Sequence, residues 1–240
     1  MKASKVMGIM SSPRADGNTA MLLRAALKAA QERGAEVAEV DLSECRLEYC
    51  KGCLACLKHG ECPVNDDFRR IREQLYEADG IILASPTYCG SCNAAMKNLF
   101  DRLGLFEVMS SRLGGKHVAA ISTAGSARAA RKTAKSMTAL TANGIFLAGE
   151  VSGTMGAGFN RNTSQEEFEA VTAQAGKLGA TLVNDIARGA HYPLRNAAVK
   201  IINRLFVRPT FLRFIREGRE DATRGVYQSL LERGLISEAR

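Results

Sequence analysis

Short β-type apolar runs alternate with segments of helical apolar spacing through most of the 240-residue chain, and that alternation limits it to few folds. Strands are predicted at Lys5–Met10, Glu36–Leu42, Gly80–Ala84, Lys116–Ser122 and Ile145–Val151. Helices are predicted at about Asn18–Arg33, from Asn65-Asp66-Asp67 to Ala78, at Asn93–Leu103, at Ala129–Ala142 and from Ser164 to about Ala187. Leu22, Leu23, Ala26, Leu27 and Ala30 form the apolar stripe of the first helix, and Gly34 stops it. Ser164-x-x-Glu167 is a capping box for the last. A glycine-rich loop with Gly153, Gly156 and Gly158 is expected after the fifth strand. Strand–helix–strand order of this kind builds an α/β fold, a doubly wound five-stranded parallel sheet with right-handed crossovers. Ligands of such sheets bind beyond the carboxyl ends of the strands.

Three loops fall at that edge. Ser11-Ser12-Pro13-Arg14-Ala15-Asp16-Gly17-Asn18-Thr19 joins hydroxyl and amide donors and one arginine to a helix N-terminus, which suits a phosphate. It is neither a Walker A loop nor G-x-G-x-x-G, and a capped turn without ligand is the alternative. Pro86-Thr87-Tyr88-Cys89-Gly90-Ser91 and Thr123-Ala124-Gly125-Ser126 offer backbone amides, hydroxyls and one aromatic, which suit a flat polar ring. Three such loops at one edge favour the phosphate reading over the empty turn.

Between the second strand and the next helix runs Cys50-x2-Cys53-x2-Cys56-x5-Cys62-Pro63. It is close to the ferredoxin run C-x2-C-x2-C-x3-C-P that ligates [4Fe–4S]. Gly60, inside the longer last step, would let Cys62 fold back onto the same centre. A metal-free cysteine loop, a disulfide pair and zinc are the alternatives, although zinc usually takes two separated C-x2-C pairs. Cys45, Cys89 and Cys92 read as small buried side chains. His59 and His117 stand alone, and no nucleophile–His–acid arrangement is visible, which fits chemistry carried by cofactors.

The net charge of +8 is concentrated, because Ile186–Arg219 holds eight Lys/Arg and one acid, Glu217. General basicity therefore gives no argument for nucleic-acid binding. Two regions are expected: 1–189, a nucleotide-type domain with a cysteine-rich loop at 45–65, and 190–240, a basic helical extension. In the extension Leu194, Ala198, Ile201, Ile202 and Leu205 keep helical spacing, Pro209 is expected to break the helix, and Asp221 to cap a last one. Oligomer contacts are the preferred use of this arm, with a membrane surface or acidic partner second and packing on its own domain third. No signal-type or membrane-spanning apolar run is seen, so a cytoplasmic protein is expected.

Together these residues carry a resemblance. Ser12-Pro13-Arg14 with Gly17-Asn18-Thr19, Ser85-Pro86-Thr87-Tyr88-x-Gly90-Ser91, Lys97 and Asp101-Arg102 resemble the NADPH-dependent FMN reductase superfamily, with its flavodoxin-like fold. The cysteine run and Asp66-Asp67 resemble its iron–sulfur flavoprotein branch. Ser11 departs from the glycine common before Ser-Pro-Arg. The resemblance covers about residues 4 to 187. It implies FMN, its phosphate held by Ser12, Arg14, Asn18 and Thr19, and its ring against Pro86, Thr87, Tyr88, Cys89, Gly90 and Ser91 and against Thr123, Ala124, Gly125 and Ser126. It also implies a [4Fe–4S] cluster on Cys50, Cys53, Cys56 and Cys62, a homodimer or homotetramer, and electron transfer with a ferredoxin-like partner. An NAD(P)H-dependent reductase of a quinone or free flavin, without a cluster, is the alternative; a redox- or metal-sensing module is the alternative outside enzymes.

Overall fold

The computed structural model describes residues 3–192 and 201–238. Strands β1 (Lys5–Met10), β2 (Glu36–Asp41), β3 (Gly80–Tyr88), β5 (His117–Ala124) and β6 (Glu150–Gly158) form a parallel sheet in the order β2-β1-β3-β5-β6. A two-residue strand β4 (Ser91–Cys92) folds back antiparallel on the end of β3. Counting the parallel strands alone gives 2-1-3-4-5, the doubly wound flavodoxin-like order. The fold class expected from the alternation is the one observed.

Alternation within the strands sends side chains to two cores. Met7, Ile9, Ile81 and Leu83 pack beneath α3 (Phe68–Glu77) and α4 (Ala94–Ser110), with Phe68, Ile71, Leu75, Met96 and Leu99. Val6, Met10, Ile82 and Ala84 face α1 (Asn18–Glu32) and α7 (Gln165–Arg188), through Leu22, Leu23, Ala26 and Leu182. Each large aliphatic side chain buried this way contributes about 1.5–3 kcal/mol. The capping box of α7 forms as read, with Ser164 and Glu167 each accepting the other's backbone N–H.

Several boundaries differ from the sequence reading. The last strand is not Ile145–Val151 but Glu150–Gly158, so the expected glycine loop is the strand itself. Its glycines mark close backbone approach, since a Cβ at Gly156 would strike the backbone of Ala130 and Arg131 in α5 (Ala127–Met137). The basic helix divides at Thr138 into α5 and a short α6 (Ala139–Ala142). Helix α4 runs past Leu103 to Ser110, kinked at Gly104.

The tail also departs from expectation. Pro209 does not end the helix: helical backbone runs through it, and a π-helical turn at Asn203–Val207, where the α-helical ladder is interrupted, leads into α8 (Arg208–Glu217). Asp221 does not cap α9 (Arg224–Glu232), whose N-cap is Thr223; it pairs instead with Lys58. Val226 and Leu230 of α9 and Ile215 of α8 pack with Leu57, Phe106, Met109, Ile145 and Phe146 in a third core. The end of the tail thus rests on the chain's own domain, while Ile201, Ile202, Leu205, Phe206 and Phe214 stay exposed. Leu194 and Ala198, read as part of the tail's apolar stripe, lie outside the described residues.

Candidate functional site

The carboxyl ends of β1, β3 and β5 lie side by side, and short polar side chains stitch their loops together. Thr19, in the first turn of α1, shares a 2.7 Å hydroxyl–hydroxyl bond with Thr123 at the end of β5. Thr87 on β3 shares a 2.9 Å bond with Ser122, whose own hydroxyl lies 2.7 Å from the Ser85 carbonyl. Asn93, the N-cap of α4, accepts from Met96 N–H and donates through Nδ2 to the carbonyl of Ser11. Ser85 closes the ring by accepting from Asn93 N–H at 3.1 Å.

Within this rim the first loop presents an anion cradle. Gly17 is the N-cap of α1, no side chain caps the helix, and no acid sits in its first turn. The first amides therefore face outward at the positive end of the dipole. Ser12 is buried and its hydroxyl accepts from Arg14 N–H at 3.2 Å, which turns the loop and leaves the Arg14 side chain exposed above it. Uncapped amides, a cation and the Thr19 hydroxyl are the donors a phosphate monoester needs, so these residues fit the phosphate end of FMN.

The second loop is a tight hairpin. Thr87 pairs with Cys92 and Tyr88 with Ser91, and Cys89 (φ 47°) and Gly90 (φ 78°) occupy the turn in left-handed backbone. Tyr88, Cys89, Gly90 and Ser91 are exposed, and Pro86 is buried at the base. Across from them Thr123 is buried, Ala124 half-buried, and Gly125 and Ser126 exposed, with Ser126 capping α5 by accepting from Ala129 N–H at 3.3 Å. Cys92 is buried in the core as read, whereas Cys89 is exposed.

The cysteine run lies between β2 and α3 and includes the one-turn helix α2 (Ala55–His59). Gly52, Leu54 and Gly60 all take left-handed backbone (φ 63°, 58° and 74°), so the segment curls on itself, and Gly60 turns the long last step as anticipated. Cys50 and Cys53 are exposed, Cys56 and Cys62 half-buried. Burial, then the neighbouring Cys62 and Cys50, push the Cys56 thiol up. Among the described residues no three Cys, His, Asp or Glu side chains stand together as a metal site. In kind, four thiols within thirteen positions are the donor set that iron–sulfur clusters take.

Two buried arrangements stand beside this loop: one joins Asp66, expected as part of a helix cap, to Arg102, and the other joins Tyr76 and Glu107, to which the sequence assigns no role. Asp66 accepts from Arg102 and from the backbone N–H of Glu48 and Phe68, while Arg102 also donates to the Glu48 carbonyl and stacks 4.4 Å from the Phe68 ring centroid. Burial alone would raise the Asp66 carboxyl, but those bonds outweigh it and hold it below the usual range. Deeper in, Tyr76 donates to Glu107, whose carboxyl is pushed up to about 7 by burial despite the arginines around it. Glu107 follows Leu99 and Leu103 along the inward face of α4, so an acid on an apolar stripe was the signal available.

The profile of the NADPH-dependent FMN reductase family matches residues 4–159. The chain is 47% identical over 98 residues to an iron–sulfur flavoprotein of Methanocaldococcus jannaschii, covering 41% of this chain and 51% of that protein. It is 41% identical over 122 residues to an iron–sulfur flavoprotein of Methanosarcina thermophila, covering 51% and 64%. A third, from Clostridioides difficile, is 30% identical over 172 residues, covering 70% and 75%. The matched part thus spans about half the length of the Methanocaldococcus jannaschii protein, at 51%, and of an iron–sulfur flavoprotein of Archaeoglobus fulgidus, at 53%. Among solved structures, a flavone reductase superposes with TM-score 0.60 at 20% identity, covering 78% of this chain and 65% of that one. An NAD(P)H:quinone oxidoreductase from Methanothermobacter marburgensis does so with TM-score 0.60 at 18% identity, covering 75% and 96%. Those two likenesses show the shared fold. The family profile runs from just before β1 to just past β6, across the whole sheet and all three loops of its carboxyl edge, and the chain belongs to the NADPH-dependent FMN reductase family, in its iron–sulfur flavoprotein branch.

Proposed function

We propose that the chain is an FMN-dependent oxidoreductase that passes electrons between FMN and a [4Fe–4S] cluster and onward to a ferredoxin-like partner. The observation that carries this reading is the Thr19–Thr123 bond, which fixes the phosphate-type loop against the ring-type loop of the same edge. Bound FMN supplies exchange between electron pairs and single electrons, and a bound cluster supplies single-electron passage. Ser12, Arg14, Asn18 and Thr19 bind and neutralise the phosphate. Pro86 backs the ring while Thr87 orients it, and the exposed Tyr88–Ser91 hairpin shields one face from water. Thr123, Ala124, Gly125 and Ser126 line the other side with backbone amides. Cys50, Cys53, Cys56 and Cys62 are the ligand set for the cluster, and the expected homodimer or homotetramer would bring one subunit's cysteine loop to another's flavin.

One observation favours a second reading, in which NAD(P)H reduces the flavin and a quinone or free flavin takes the electrons. No three thiols stand together as a metal site among the described residues, and this reading asks only for the flavin edge. An anaerobic absorption spectrum with iron, sulfide, zinc and FMN counted per chain separates the two. FMN with about four iron and four sulfide supports the first; FMN alone leaves the second. Rapid bleaching of the flavin by NADPH would count against a pure electron carrier. Protein that takes up no FMN when it is supplied would overturn both readings and favour a sensing module. No helix among the described residues is long and apolar enough to cross a membrane.

A further inference from the structure

A polar cavity of about 260 Å³ opens behind the cysteine loop, where the His59–Glu61 turn, α3, the end of α4 and the tail helix α9 meet. Its cationic wall is built and held. Arg72, 7% exposed, donates from Nη1 to the Gly60 carbonyl at 2.9 Å, while its Nε is buried without a hydrogen-bond partner. Ser229 of α9, 5% exposed, lines the same cavity, and its buried hydroxyl also has no partner. Arg112 lies 4.5 Å from the centroid of the Tyr76 ring and Arg72 5.7 Å from it, so two guanidinium groups share one aromatic. Arg112 pairs with Glu232 at 4.0 Å, and that carboxylate is largely exposed. The other acid of the wall, Glu61, is engaged by Arg69. Behind the wall Glu107 stands among Arg72, Arg112 and Arg233. Both unpaired groups belong to side chains that line the cavity, and a buried donor left unpaired costs about 1–3 kcal/mol.

We propose that this cavity is a binding site for a small oxyanion, phosphate or a compact carboxylate, received by Arg72, Arg112 and the Ser229 hydroxyl. Two guanidiniums and a hydroxyl suit an oxyanion, whose several oxygens accept from all three at once. A bound anion would tie the turn between Cys56 and Cys62 to the tail helix, because Arg72 holds the Gly60 carbonyl and Ser229 belongs to α9. The site is separate from the β1–α1 loop, and the inference does not depend on the flavin reading.

The test is a calorimetric titration with inorganic phosphate, and in a parallel arm with acetate, at constant ionic strength in chloride and in the presence of excess FMN. Three proteins are compared: wild type, Arg112→Gln and Arg14→Gln. Arg72 is left alone, since its loss would free the Gly60 turn. Binding of one anion per chain is expected in wild type and in R14Q, with affinity at least tenfold lower in R112Q. Tighter binding in the phosphate arm would identify a phosphate site, and tighter binding in the acetate arm a carboxylate site. Binding that survives in R112Q, or that disappears only in R14Q, would overturn the assignment. Absence of binding heat in both arms, confirmed by an unchanged melting temperature at saturating anion, would overturn it as well.

Discussion

Arg102 holds Asp66 through both ends of its guanidinium fork, Nη1 to Oδ2 at 2.7 Å and Nη2 to Oδ1 at 3.0 Å, with both side chains sealed from solvent. Because Asp66 also accepts from Glu48 and Phe68, this single carboxylate ties the segment before the cysteines to the start of α3. Breaking such a buried pair from one side leaves a charge without a partner, at a cost of about 3–5 kcal/mol. Asp66→Ala is therefore expected to lower the urea midpoint strongly, and Asp66→Leu with Arg102→Met to recover much of the loss. The depressed Asp66 carboxyl adds stability that is complete above its ordinary value of 3.8 and fades as pH falls through its lower folded value. Acid melts of wild type should therefore steepen below about pH 4, and those of the double variant should not.

Glu107 makes the opposite prediction. Its carboxyl rises from an ordinary 4.5 to about 7, so between those values the folded chain binds more protons than the unfolded chain. The stability it contributes is complete below 4.5 and lost as pH rises through about 7. One proton limits the slope to about 1.4 kcal/mol per pH unit. Glu107→Gln, which still accepts from Tyr76, should flatten this part of the curve. Denaturant midpoints measured from pH 4.5 to 8 check it, and an unchanged slope in E107Q would assign the proton uptake elsewhere.

How much of this was legible depended on whether the signal was local. The sheet and the three edge loops follow from periodicity and from residues adjacent in sequence, such as Asn18-Thr19 or the hairpin around Gly90. The Thr19–Thr123 and Asn93–Ser11 bonds join residues 104 and 82 positions apart, and only the strand order brings them together. The last strand is hidden in the sequence because glycines ordinarily mark a loop, whereas here they let α5 pass close above Gly156 and Gly158. Asp221 looked like a cap by residue type alone; its Lys58 partner, which takes that role away, lies in α2.

Gly225 gives the tail a handle. A Cβ there would run into the backbone of His59 and Gly60, so α9 rests on the cysteine loop with no room for a side chain. Gly225→Ala is expected to push α9 outward and destabilise its docking by about 1–3 kcal/mol, the usual cost of overpacking. Hydrogen exchange should quicken in α9 and α2 while α1 keeps its protection. A uniform loss across the sheet would show that the tail and the core unfold as one unit. Gly179→Ala is the contrasting case, because its Cβ would strike the Ala26 backbone between α1 and α7 and so strain the main core.

Six of the seven cysteines can be sorted one at a time. Cys45 donates to the Asp41 carbonyl at 3.2 Å and its thiol is pushed up by burial, and Cys92 packs in the core under α4 with its thiol raised likewise. Neither has geometry that leaves the sulfur free for iron. Cys50 and Cys53 lie open, and Cys56 and Cys62 lie across the Gly60 turn from each other. Serine at any of Cys50, Cys53, Cys56 or Cys62 is expected to reduce iron and sulfide to background while FMN content holds, since the phosphate loop is built from other residues. Serine at Cys45 or Cys92 should leave both counts unchanged, at a stability cost of about 1–2 kcal/mol for the buried polar group. Metal analysis and the flavin spectrum on the same preparations decide it. Iron lost with Cys45 and retained without Cys62 would move the fourth ligand to the near end of the segment, ahead of Cys50, and the long x5 step would then be a turn that serves the anion cavity alone.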